Sequence, residues 1–360
     1  MQRTLEETLQ WLSGFAKEVA VASTFHEPDH SLLEGLQRLT QPLRELGLDW
    51  YLSGTAVSRN DKPNSGHFWN LLNNFHATTD TDLPELFSQY NPKADFIEAN
   101  HYKVLLQAAR SGKPLVLYMD LDRITVGANY YPQEFVDNLR AGLEQAKQGN
   151  VVSFTRSPSA NNTHLASLVL TEGIIHPPYN RALSIRNSFV DLLSTGYMAP
   201  AGKLAKLLET YQGGEFLGVR SHYPHSKVML QMMQENGMGL NAIQTDQMLR
   251  YEWPEQARGM GKFKLGKHEW TPEQYEKVTL ASRPFQEETM QNPREWIGRF
   301  TTVHQYLNVL QKLWMEPRGK IDGELLVARA QVEELLAKGD IPADVYRARA
   351  IELSKRFQHY

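Results

Sequence analysis

The sequence predicts an α/β fold followed by a helical C-terminal region, on three observations. The chain opens strand, helix, strand. Val19 to Phe25 is a β-rich run, Pro28 to Leu46 spaces Leu32, Leu33, Leu36, Leu39 and Leu43 as on one helix face, and Leu48 to Leu52 is apolar again. That alternation marks a βαβ unit, and so parallel strands. A second short apolar run, Leu115-Val116-Leu117-Tyr118-Met119, is entered through Gly112-Lys113-Pro114 and reads as a buried strand. Third, the stretch from Thr271 to Tyr360 has only helical periodicity. The division falls near residue 255: an α/β part over 1–255 and a helical part over 256–360.

Each element has a local reason. Thr4 to Glu7 forms a capping box, so a short helix should follow to about Phe15. Gly47 sits where a helix C-cap belongs after Leu46. Ser58 to Gly66 is polar and loop-like, and Phe68 to Phe75 is weakly helical. Asp95 to Ala109 reads as helix. Pro132 is a first-turn proline for a helix to Gln148. Val151 to Phe154 is another strand. Ala166 to Ile175 and Ala182 to Leu193 read as two helices around a Pro177-Pro178 break, and Leu204 to Tyr211 as a further helix. Thr271-Pro272-Glu273 is a helix start, with breaks at Asn292-Pro293, Pro317-Arg318-Gly319 and near Gly339 to Pro342.

At 360 residues with a formal net charge of −3, the chain can bury a large core and lacks the basic surplus of a nucleic-acid binder. It has no cysteine, which excludes disulfides, thiolate metal sites and cysteine nucleophiles and fits a reducing cytoplasm. No apolar run is long enough for a membrane span, and the N-terminus lacks the apolar centre of a signal peptide.

The chemistry centres on Asp120-Leu121-Asp122-Arg123, directly after the Leu115–Met119 run. Two acids one residue apart at a strand end lie where open α/β sheets bind ligands, and acid pairs there hold divalent cations that in turn hold phosphates. The bland alternative is a solvated turn with Asp122 paired to Arg123. Arg156 follows the Val151 strand and could reach phosphate from its end; a plain surface arginine fits equally well. Glu172, Asp246 and Glu252 are the candidate proton-accepting bases for an acceptor hydroxyl, set against ordinary capping or surface roles.

Leu117 to Pro132 resembles a group of bacterial glycosyltransferase-like proteins of the GT-A fold, in which an apolar strand ends in Asp-x-Asp-Arg and an aromatic-proline turn follows; here that turn is Tyr131-Pro132-Gln133-Glu134. Looser matches extend the resemblance over about 18–253. Val19 to His30 resembles the strand and loop that hold the nucleotide base, which makes Thr24 a nucleotide contact. Arg156, His164 and Thr171-Glu172 resemble the group's Arg, His and Thr-Glu. Leu249-Arg250-Tyr251-Glu252 resembles its closing motif. The resemblance implies a mixed, mostly parallel sheet flanked by helices, a nucleotide-sugar donor, an acceptor it does not name, and Mn²⁺ or Mg²⁺. By it, Asp122 is the direct metal ligand, Asp120 shares the ion or contacts ribose, Arg123 approaches the diphosphate, and His225 is a further metal ligand. His222 stands where the group has an acid. The Leu325–Leu336 pattern implies helix packing or a homodimer contact. Two other readings stay open: a haloacid-dehalogenase-type phosphatase, which also uses Asp-x-Asp after a strand but wants Thr or Val where Ile124 stands, and a non-catalytic nucleotide-sugar-binding module.

Overall fold

A computed structural model describes residues 5–25, 30–54, 65–73, 75–79, 96–161, 164–183, 190–191, 196–210, 225–246, 248–249, 263–265, 268–271, 290–339 and 341–357. The chain runs α1 (Leu5–Glu18), β1 (Val19–Phe25), α2 (His30–Glu45), β2 (Trp50–Gly54), α3 (Ser65–Leu72), β3 (His76–Thr79), α4 (Phe96–Ala109), β4 (Leu115–Met119), α5 (Leu121–Tyr130), α6 (Pro132–Lys147), β5 (Val151–Arg156), α7 (Pro158–Asn161), α8 (Ala166–Ala182), β6 (Gly196–Pro200), α9 (Ala201–Leu208), α10 (His225–Asn236) and β7 (Leu240–Thr245). A hairpin of β8 (Phe263–Leu265) and β9 (His268–Trp270) precedes α11 (Pro293–Val309), α12 (Gly323–Ala337) and α13 (Ala343–Phe357).

The strands form a seven-stranded sheet in the order β3-β2-β1-β4-β6-β5-β7. β6 is antiparallel to both β4 and β5; the other pairs are parallel. The fold is therefore the expected mixed, mostly parallel sheet flanked by helices, with six carboxyl ends along one edge. Successive residues turn to opposite faces of the sheet, and in β1, β4 and β5 both faces are buried. Val19 and Val21 face one apolar cluster with Leu115, Leu117 and residues of α1, α2, α5 and α6. Ala20, Ala22, Val116 and Tyr118 face the other, under α4. That second cluster continues into Trp296, Phe300, Tyr306 and Tyr346, so the C-terminal helices share the core of the sheet.

Several elements depart from the sequence expectation. The segment after Asp120, where the sequence reading placed no element, is the helix α5. Pro177 and Pro178 do not break a helix: α8 runs unbroken from Ala166 to Ala182. Val190 and Asp191 are not helical, and residues 184–189 and 192–193 lie outside the described residues, as does the expected helix start at Pro272. β3, β6 and β7 were not foreseen. β6 in particular reads Gly-Tyr-Met-Ala-Pro, a composition that argues against a strand. Among the described residues no helix is long and apolar enough to cross a membrane.

Candidate active site at the strand ends

The strand order places a crevice at the β1/β4 junction. From β1 the chain winds outward through β2 and β3, then crosses back so that β4 lies on the other side of β1. This is the topological switch point at which open α/β sheets bind ligands beyond the strand carboxyl ends. The parallel register Ala22↔Tyr118, carried on by two residues, sets Thr24 opposite Asp120. The two are in fact bonded: Thr24 Oγ1 donates to Asp120 Oδ1 at 3.3 Å.

Asp120 is the N-cap residue of α5, yet its side chain makes no capping bond. An N-cap aspartate ordinarily accepts a backbone N–H of the first turn. Here Oδ1 instead accepts the buried Tyr118 hydroxyl at 2.7 Å as well as Thr24. Thr24 Oγ1 lies 2.8 Å from the Tyr118 hydroxyl and 3.3 Å from His101 Nε2. Burial, and then the Asp120 charge, push the Tyr118 phenol well above its ordinary pKa. The backbone is tied too: Ser23 Oγ donates to the Met119 carbonyl at 2.6 Å and accepts Trp50 Nε1–H at 2.9 Å. Asp122 differs. It is half-buried in the first turn of α5, its Oδ1 accepts Arg123 N–H at 2.8 Å, and Arg123 Nε stands 3.9 Å from its Oδ2. α5 itself is pressed against α2 where Gly35 meets Thr125; a Cβ at Gly35 would come within 2.8 Å of Thr125 Cγ2.

Two strands away, about 10 Å across the sheet, lies a second polar cluster. Arg156, expected to reach phosphate, is buried and spends Nε on Asp191 and Nη2 on Glu172 Oε2, the latter at 2.7 Å. His176 Nε2 lies 3.0 Å from Asp191 Oδ1. Burial opposes the charge on Arg156, but the two carboxylates outweigh it and hold the guanidinium above its ordinary pKa. Burial also disfavours both carboxylates. Asp191 faces both Arg156 and His176, which keep it well below the usual range. Glu172 is raised by burial, which the nearby Arg156 does not offset because Glu172 also feels the Asp191 charge. Asp191 is thus the anion and Glu172 the acid that takes a proton more readily.

The loop after β7 is held from both sides. Glu134, from the aromatic-proline turn, accepts the backbone N–H of Asp246 on Oε1 and of Met248 on Oε2, the second at 2.9 Å. His164 Nε2 lies 3.0 Å from the Leu249 carbonyl. Burial, then Arg156 and Arg123, lower the His164 pKa well below its ordinary value, so it is neutral. Asp246 is exposed at the sheet edge, three strand spacings or about 14 Å from the end of β4, too far to share a cation with Asp120. His225 begins α10, but its side chain, like Arg250, Tyr251, Glu252 and His222, lies outside the described residues. Of the residues that the sequence singles out separately, the structure brings together Arg156 with Glu172 and Thr24 with Asp120. Sequence reading missed His101, Tyr118, His176, Asp191 and the carboxylate role of Glu134. The available signal was a polar residue inside an apolar run, as with Asp191 after Val190, which needs a buried partner.

No model of a known protein family matches the chain, and no curated protein does either. Among solved structures it is similar to glucosyl-3-phosphoglycerate synthase from Mycobacterium tuberculosis in complex with phosphoglyceric acid, with 12% identity, a TM-score of 0.44, and coverage of 89% of this chain and 86% of that one. The same enzyme in complex with Mn²⁺ and UDP-glucose gives 13% identity and a TM-score of 0.42 over 68% and 74% of the two chains. Mannosyl-3-phosphoglycerate synthase from Rubrobacter xylanophilus gives 10% and 0.42 over 66% and 68%.

Proposed function

We propose that the chain is a metal-dependent glycosyltransferase that moves a sugar from a nucleotide-sugar donor to an acceptor, with the donor diphosphate over the β1/β4 crevice. The observation that carries this reading is Asp120. An acid kept for stability at a helix start would cap that helix; this one is turned away from capping and braced by Tyr118 and Thr24 at the switch point.

The donor set fits a hard cation. Two carboxylates stand one residue apart, and among the described residues no group of three or more His, Asp or Glu forms a ready cage. Mg²⁺ and Mn²⁺ are held by one or two carboxylates when substrate phosphates and water complete the shell. Asp122 and Asp120 would hold the ion, with His225 as the further ligand. When bound, the cation supplies neutralisation of charge on the departing nucleoside diphosphate. The protein's own groups supply the rest. Arg123, one residue on in the first turn of α5, adds a cation beside Asp122 for the diphosphate. Asp246 and Glu252 are the candidates for the base. We assign Glu172 instead as counter-ion of Arg156, because its Oε2 already accepts that guanidinium.

The test is a thermal-shift screen with UDP-, GDP- and ADP-sugars, with and without Mn²⁺. One sugar nucleotide should stabilise the protein far more with the metal, by about 2.7 kcal/mol when present at 100 times its Kd, and Asp122→Asn should abolish that increment. Turnover of a generic aryl phosphate without nucleotide binding would overturn the reading in favour of a phosphatase. Binding without transfer, across a broad acceptor panel, would leave a non-catalytic module.

A further inference from the structure

The polar groups behind Asp120 have a direction. An ionised carboxylate only accepts, so the Tyr118 hydroxyl must donate its one proton to Asp120 Oδ1. The Thr24 hydroxyl then has the Tyr118 oxygen and Asp120 Oδ1 as its acceptors, at 2.8 Å and 3.3 Å. With its proton so committed, the Thr24 oxygen accepts from His101, which requires the tautomer that carries hydrogen on Nε2. The chain therefore runs His101 to Thr24 to Tyr118 to Asp120 and ends on one carboxylate oxygen.

Its members are buried: Thr24 is 3% exposed, His101 2% and Tyr118 0%. They come from three elements, and each is locked by packing. The Tyr118 ring stacks on Tyr197 at 5.5 Å and meets His101 at 5.2 Å. One turn from His101 on the same helix face, α4 is tied to α10 by the buried Glu98–Lys227 ion pair. Next to His101, Asn100 Oδ1 accepts the Ser53 hydroxyl at 2.6 Å, tying α4 to β2. Such placement exceeds what keeping one half-exposed aspartate in place would need. Among the described residues Asp122 is met by its own neighbour alone, through the N–H and guanidinium of Arg123.

We propose that His101, Thr24 and Tyr118 are positioning residues that present Asp120 to the cation as the fixed arm of the site, while Asp122 is the arm that adjusts. This rests on the cation reading above. It also gives Thr24 a different duty from contact with the nucleotide base, since its hydroxyl is engaged within the protein. Carboxylates that bind metals are commonly oriented by such hydrogen bonds, and losing one weakens the metal about 10- to 100-fold.

The experiment is calorimetric titration of Mn²⁺ into protein saturated with UDP, GDP or ADP, whichever the wild type binds, alongside the unfolding midpoint without metal. Tyr118→Phe keeps the ring and should weaken Mn²⁺ about 10- to 100-fold. Thr24→Val, nearly isosteric, should do the same if the phenylalanine variant does not fold. His101→Leu should weaken Mn²⁺ as well, whereas His101→Gln, which restores an N–H donor, should recover most of the affinity although both lose the imidazole packing. A purely structural role would move the unfolding midpoint alike in the leucine and glutamine variants and leave Mn²⁺ affinity alone. Wild-type Mn²⁺ affinity in Tyr118→Phe, with loss in Asp120→Asn, would overturn the positioning claim and keep the cation site. No metal-dependent nucleotide binding by the wild type would overturn both.

Discussion

Among the described residues, two buried polar clusters at the same edge of one sheet are built on opposite plans. Behind the β1/β4 crevice, His101, Thr24 and Tyr118 are neutral groups that converge on a single half-exposed carboxylate. At the end of β5, Arg156, Glu172, Asp191 and His176 are ionisable groups that compensate one another and are buried throughout. The difference separates orientation from anchoring. A neutral hydrogen-bonded chain is worth little net free energy per link, about 1 kcal/mol, but fixes direction. A buried ion cluster carries a large desolvation penalty, so removing one member strands its partners. The first plan suits a group that must face a ligand. The second suits the joint between β5, α8 and the segment at Asp191, next to the loop that Glu134 and His164 hold.

Breaking the charged cluster should have the largest effect. Arg156→Met leaves Asp191 and Glu172 without their shared cation and should cost about 3–5 kcal/mol in urea unfolding; a loss below 1 kcal/mol would mean that the cluster is solvated. The Glu98–Lys227 pair, fully buried between α4 and α10, offers a control of the same kind. Lys227→Met alone should cost a similar amount, and Lys227→Met with Glu98→Leu should recover most of it, because two well-packed apolar groups carry no desolvation penalty.

Next in size is a pH dependence at the boundary of the charged cluster. His164 is neutral in the fold, with its pKa lowered by burial and by Arg156 and Arg123. Its folded value lies below its unfolded one, so the unfolded state binds more protons as pH falls below 6.5. Stability should therefore drop from pH 6.5 downward by up to about 1.4 kcal/mol per pH unit from this residue, and His164→Gln should flatten the slope in urea titrations at pH 7.5, 6.5 and 5.5. Asp191, held below its ordinary value, works in the same direction, but its stabilisation is lost only below pH 3.8. The neutral chain should show the smallest stability effect. Thr24→Val should cost about 1 kcal/mol; a loss as large as that of Arg156→Met would erase the contrast between the two clusters.

Local patterning alone carried the reading of β1, α2, β4 and α6, because the alternation of buried strands and the spacing of helix faces are properties of consecutive residues. It carried Asp120 and Asp122 as well, since an acid pair after an apolar run needs no distant partner to be noticed. It failed at Pro177-Pro178, where two missing N–H groups argue for a break. Packing keeps α8 whole: the Tyr179 hydroxyl donates to the Tyr306 carbonyl and Trp314 Nε1–H to the Ala182 carbonyl. It failed at β6, whose Gly196 and Pro200 are tolerated because they are the first and last residues of the strand, outside its pairing with β5.

The sequence by itself determined that one strand ends just before Asp120 and another close to Arg156, and that acids, an arginine and a histidine stand near those ends. Only the tertiary structure decided which of them meet. Thr24 lies 96 residues from Asp120 and is bonded to it; Asp191 lies 35 residues from Arg156 and neutralises it. Such pairs depend on strand order, register and helix crossing, which follow from packing the whole core, whereas the periodicity of a segment records only which face of it is buried.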